Sequence, residues 1–183
     1  KFLAELSALG PAAADTVIIL LSDHGEELFD HGGVDHGMTL YDEMLRVPLL
    51  IHMPHRKGRT ISAQVGTLDV FPTVMELLKL APLSGLPEQL RGHSLVGRMN
   101  GAAEPADAFS ETDYLFHFSK KAVRKSAGHK LITDGLTQGR ELYDTLADPK
   151  EKTDLFEKDP ANAYILEMQL FDWEESLIDP GKQ

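Results

Sequence analysis

Between residues 23 and 36 the sequence gathers five carboxylates, Asp23, Glu26, Glu27, Asp30 and Asp35, and three imidazoles, His24, His31 and His36. Few structural loops concentrate so many groups able to ligate a cation. A carboxylate followed at once by an imidazole, as in Asp23-His24, can hold one divalent ion. The carboxylate supplies charge, and the neutral imidazole favours Mn, Fe or Zn over Ca. Such an ion would act as a Lewis acid on a bound oxyanion. The run Asp23-His24-Gly25-Glu26 also fits a capping box, with Asp23 accepting a backbone N–H and Glu26 reaching back. On spacing alone both readings stand. His31 and His36, each taken singly, read as exposed loop histidines. Glu26, Glu27 and Asp30 read most simply as a solvated acidic start to a helix, favoured by its dipole.

The element that must present these groups is the run before them. Residues 16–21, Thr-Val-Ile-Ile-Leu-Leu, are uninterrupted apolar or β-branched, the pattern of a strand covered on both faces, which predicts a parallel one. In open α/β sheets ligands bind at the carboxyl ends of such strands. Asp23 and His24 therefore stand where a metal or an anionic substrate is expected. Before this strand Phe2, Leu3, Leu6 and Leu9 line one face of a helix that Gly10-Pro11 ends. After it, residues 25–37 carry no apolar period and read as a functional loop.

Residues 40–46 then predict a short helix and 47–52 a second buried strand, with Pro48 tolerated near its start. Residues 61–65 predict another short strand. Val70, Val74, Leu77, Leu78 and Ala81 form an amphipathic stripe, with Asp69 as N-cap and Pro72 in the first turn. Residues 82–105 are a Pro- and Gly-rich connector with a helical turn near 94–99. Beyond it, short strands over 108–112, 122–126, 129–133 and 141–145 predict a small antiparallel sheet. Asp159 as N-cap, Pro160 at the first helical position, and Leu166, Leu170, Trp173 and Leu177 on one face predict a last helix packed on that sheet. The fold class is α/β, part of a larger sheet with flanking helices over residues 1–104, followed by a small antiparallel-sheet-plus-helix subdomain over 105–183.

The formal charge of −11 argues against a nucleic-acid surface, which needs a basic face to neutralise phosphates. Lys120, Lys121, Arg124 and Lys125 form only a short cluster that reads as solvated surface. With no cysteine there is neither a disulfide nor a thiolate metal site. No apolar stretch approaches the roughly 20 residues of a membrane span, and no secretory signal is visible. The chain opens without Met inside a helical pattern, which reads as a piece of something longer, so periplasmic, secreted and cytoplasmic locations all stay open.

Several stretches resemble one family. Ser22-Asp23-His24-Gly25-Glu26-Glu27, followed by His36-Gly37-Met38-Thr39-Leu40-Tyr41-Asp42-Glu43-Met44-Leu45-Arg46-Val47-Pro48-Leu49-Leu50, is similar to the second metal motif of the sulfatases, in the alkaline phosphatase superfamily. The stretch from Leu68 to Leu78 resembles the family's helix after the sheet. Arg91-Gly92-His93-Ser94-Leu95 resembles its connector, and the stretch from Glu141 to Pro149 the strand and turn of its carboxyl-terminal subdomain. The pieces run in the family's order over nearly the whole chain.

The resemblance implies that Asp23 and His24 bind the active-site divalent ion and that His36 contacts the sulfate or phosphate oxygens. His24 stands where many calcium-dependent arylsulfatases carry Asn, so Ca2+ and Mn2+ both remain open. The Asp-His pair also resembles phosphonate monoester hydrolases and phosphoglycerol transferases. The family's nucleophile is a formylglycine made within a Cys/Ser-x-Pro-x-Arg motif, or in phosphotransferring relatives a Ser or Thr, and it lies in an amino-terminal half that this sequence does not contain. The expectation is the carboxyl-terminal portion of a sulfate- or phosphate-ester hydrolase, inactive alone, with an exposed edge and apolar face that favour self-association or pairing with that missing half. A module that binds an ion or a partner without catalysis is the third reading.

Overall fold

The computed structural model describes residues 4–5, 8, 10, 15–80, 91–102, 106–114 and 117–178. The expected first helix with Phe2, Leu3, Leu6 and Leu9, the end of the helical stripe at Ala81, and positions 82–90 and 103–105 of the connector lie outside them. In chain order the elements are β1 Ile18–Leu21, β2 Glu27–Leu28, β3 Val34–Asp35, α1 Asp42–Leu45, β4 Leu49–His52, a 3-10 turn Thr67–Asp69 running into α2 Val70–Leu77, and α3 Val96–Met99. Then come β5 Ala108–Thr112, β6 Lys120–Arg124, β7 His129–Asp134, β8 Arg140–Asp144 and α4 Pro160–Ile178. Among the described residues no helix is long and apolar enough to cross a membrane.

β1 pairs with β4 antiparallel, Ile18 opposite His52 and Leu21 opposite Leu49. This corrects the expectation of a parallel strand buried on both faces. The directly opposed Leu20 and Leu50 are 53% and 56% exposed. A two-stranded ribbon can lay one face on its own chain, and no described element covers the Leu20 and Leu50 face. The expected strand over 61–65 is also absent. Instead the Gln64 side chain donates to the carbonyls of Ala106 and Arg124, both at 2.9 Å, and ties this segment to the small sheet.

β5 to β8 form an antiparallel meander in sequence order. The pleat sends consecutive residues to opposite faces, and the sequence uses both. Val123, Leu131 and Leu142 are fully buried against Ala163, Leu166 and Leu170 of α4, with Phe109 stacked on Trp173 at 5.2 Å. Their neighbours Ala122, Ile132 and Tyr143 turn the other way and meet Leu40, Tyr41 and Leu45. The sheet is thus a middle layer, with α4 on one side and the segment bearing α1 on the other. α4 starts as expected: Asp159 Oδ1 accepts the Asn162 N–H at 3.2 Å, with Pro160 as first helical residue. Asp69 precedes α2 but does not cap it, because its carboxylate accepts the N–H groups of Gly66 and His93. The basic cluster on β6 is not free surface: Lys120 pairs with Asp134, Lys121 with Glu174, Lys125 with Asp107 and Arg124 with Asp42.

Candidate metal-binding site

At the carboxyl end of β1 the chain turns through Ser22 to Gly25 without starting a helix, which removes the capping-box reading. The turn is held by its backbone. The Gly25 N–H donates to the Met44 carbonyl at 2.8 Å, and a Cβ at Gly25 would sit 1.8 Å from the Glu43 carbonyl oxygen. Only glycine permits that approach between turn and α1.

On this turn the Asp23 carboxylate is 89% exposed, and its Oδ1 accepts the His24 N–H at 3.0 Å. The His24 Nδ1–H donates to the Gly25 carbonyl at 2.7 Å, which leaves Nε2 with the lone pair, 3.9 Å from Asp23 Oδ1. Donation to that carbonyl is the main cause holding the imidazole above its ordinary value. Desolvation opposes it, and the Asp23 and Glu26 charges add to it.

The His36 ring stacks on that of His24, centroids 4.5 Å apart and planes 25° from parallel, so the structure brings all three expected site residues together. His36 Nδ1 lies 2.8 Å from Asp35 Oδ1 and 3.6 Å from Glu26 Oε1. Glu26, Asp35 and His36 could themselves hold a cation, their ligand atoms lying within 4.8 Å of one another. Sequence reading left Glu26 and Asp35 out of the site. Next to His36, Gly37 has φ +86° and lies under the Tyr114 ring, which a Cβ would meet at 3.0 Å, while its carbonyl accepts the Thr112 hydroxyl at 2.6 Å.

Two groups expected at the surface are structural. Glu27 is 1% exposed and accepts the Gly33 N–H at 2.8 Å and the Thr39 hydroxyl at 3.0 Å, closing the hairpin that carries Asp35. It is no solvated helix start. His31 is half-buried, with Nδ1 2.5 Å from Glu43 Oε1 and Nε2 3.0 Å from the Glu151 carbonyl, and its ring stacks on Tyr41. The sequence contains Asp-His three times, at 23–24, 30–31 and 35–36. That repeat was a signal for the second pair at the site, but the middle one serves as a brace.

Residues 1–80 match the family model described as Sulfatase. The chain is 30% identical over 164 residues to Arylsulfatase K of Gallus gallus, covering 83% of this chain and 30% of that protein. It thus spans about a third of the length of the curated relatives it matches. A solved 2-O GAG sulfatase superposes on 97% of the chain and 40% of its own with TM-score 0.73 and 25% identity. The phosphonate monoester hydrolase of Agrobacterium radiobacter shares the fold, with TM-score 0.69 at 22% identity over 98% of this chain and 37% of that one. Family model, curated relative and superposed structure all point to sulfatases, and the chain belongs to the sulfatase family, with an alkaline-phosphatase-like fold.

Proposed function

We propose that Asp23 and His24 anchor one divalent ion, Ca2+ or Mn2+, in a sulfate-ester hydrolase of which these 183 residues are the carboxyl-terminal portion. The observation that carries this is the tie from His24 Nδ1–H to the Gly25 carbonyl. Metal-bound imidazoles use that arrangement, because it fixes the tautomer and leaves the other nitrogen to the ion. Nε2 and Asp23 Oδ1, 3.9 Å apart, can share one ion with bonds of about 2.0–2.6 Å. When bound, the ion supplies Lewis-acid charge for the nucleophile and the ester's non-bridging oxygens.

The chain's own residues do the rest of the positioning. Asp35 and Glu26 place two carboxylates beside His36 Nδ1, next to a ring that neutralises sulfuryl oxygens or assists the leaving group. Reaction needs nucleophile, activator and charge stabiliser together. The nucleophile, a formylglycine or a Ser or Thr, is expected outside this segment, so the isolated chain is expected to be inactive and to hold the ion weakly. The fold shared with a phosphonate monoester hydrolase supports a second reading, hydrolysis of phosphate or phosphonate esters at the same site.

Assay of the whole protein on aryl sulfate, phosphate and phosphonate esters separates the two. Sulfate turnover is expected, reduced about a hundredfold or more by Asp23→Ala together with loss of bound metal. Phosphate preference without sulfatase turnover would decide for the second reading. Unchanged metal content and activity in Asp23→Ala would leave a non-catalytic ion- or partner-binding module.

A further inference from the structure

A buried charge node in the small sheet lies behind the site turn. Lys130 on β7 and Glu151 after β8 are 0% and 1% exposed. Their ammonium and carboxylate meet at 2.8 Å, and Lys130 Nζ also reaches Asp42 Oδ1 at 3.0 Å. Glu151 Oε2 accepts the Asp42 N–H, the first amide of α1, at 2.6 Å. A short helix leaves its first N–H groups without partners, and Tyr41 at the N-cap offers no side-chain acceptor. A carboxylate from 109 residues away fills that place. The Glu151 carbonyl accepts from His31, which bonds Glu43 in the next position of α1. The far end of the same single-turn helix, at Met44, holds the Gly25 N–H.

We infer that Lys130 and Glu151 are positioning residues for the Asp23-His24 turn: through Asp42 and Glu43 they fix α1, and α1 fixes Gly25. That the turn holds an ion rests on the reading above, whereas the coupling of node to turn does not. The chain of contacts is short and wholly backbone or charge-assisted, the kind that has little slack. Asp23 and His24 are exposed, and beyond the turn His24 meets the His36 ring, so the backbone of the pair takes its place from Gly25.

Amide hydrogen exchange on this chain tests the coupling, with the His24 ring resonances as the readout at the site. Glu151→Leu is expected to speed exchange at Gly25 about tenfold or more relative to Leu131, and to shift the His24 ring signals. Glu151→Gln keeps an oxygen for the Asp42 N–H and is expected to restore Gly25 protection to within about threefold of the parent. Asp42→Asn, which weakens the Lys130 contact and leaves Glu151 in place, is expected to give an intermediate rise and serves if Glu151→Leu does not fold. Exposed Asp42 with Gly25 and His24 unchanged would overturn the inference, as would a rise at Gly25 no larger than that of the sheet amides. Added Mn2+ separates the two readings: failure to broaden His24 in the parent chain counts against the ion, while the exchange arms still decide the coupling.

Discussion

Glu27 carries an ionisable group into an almost fully buried place, and both its oxygens are used there. Removing them strands a buried N–H at Gly33 and a hydroxyl at Thr39. Glu27→Ala should therefore cost about 1–3 kcal/mol in urea denaturation. It should also loosen the hairpin that sets Asp35 against His36. Tyr41 and Tyr143 pose the opposite problem. Both hydroxyls donate to Glu141 Oε2, at 2.7 and 2.8 Å, and burial first, then that carboxylate, pushes both phenols well above their ordinary range. The fold accepts only their protonated forms, so their contribution is whole below the unfolded value of about 10 and is lost as pH rises beyond it. Near-ultraviolet phenolate absorbance should show Tyr41 and Tyr143 still protonated above that pH until the chain unfolds. Phenolate formation at both while the sheet stays folded would contradict this. At this scale the turn that presents Asp23 and His24 at the end of β1 was legible, because its pattern is local. Glu27 and His31 were not, because burial is decided by partners such as Glu151 that lie far along the chain.

α4 is the element the sequence specified most completely, since its signals, Asp159, Pro160 and the Leu166, Leu170, Trp173 stripe, lie within one stretch. Asp159 satisfies the Asn162 N–H at 3.2 Å, so Asp159→Ala should destabilise the chain by about 0.5–2 kcal/mol. The urea midpoint measures it, and an unchanged midpoint would mean that solvent caps the helix equally well. The strands of the small sheet were likewise readable to within two residues from turns and alternation. Shorter elements were not. The β2–β3 hairpin has two residues a side, too few for a period, and α1 is a single turn whose cap comes from Glu151. The absent strand at 61–65 has apolar residues, but Gln64 takes the sheet's carbonyls with its side chain instead of its backbone.

At the scale of the whole molecule the strongest misreading and the strongest prediction have the same source. Residues 16–21 and 47–52 encode burial on two faces, and the described residues supply cover for one. Leu20 and Leu50 stand opposite each other and more than half exposed, and Leu21, Leu28, Phe29 and Val34 are exposed as well. Among the described residues β1 and β4 are both edge strands, each with one side that pairs with no other described strand. Exposed apolar side chains beside a sheet edge favour association over hydration. In the whole protein, flanking polypeptide is expected to take this face. On its own the 183-residue chain should take a second copy, despite a net charge of −11 that opposes it. Light scattering should show mass rising with concentration, and more so with added salt as the repulsion is screened. Leu20→Lys with Leu50→Lys places two charges at the centre of the face and should return a monomer with the small sheet and α4 intact. A clean monomer of the unaltered chain at high salt would mean that the ribbon folds its own apolar face away.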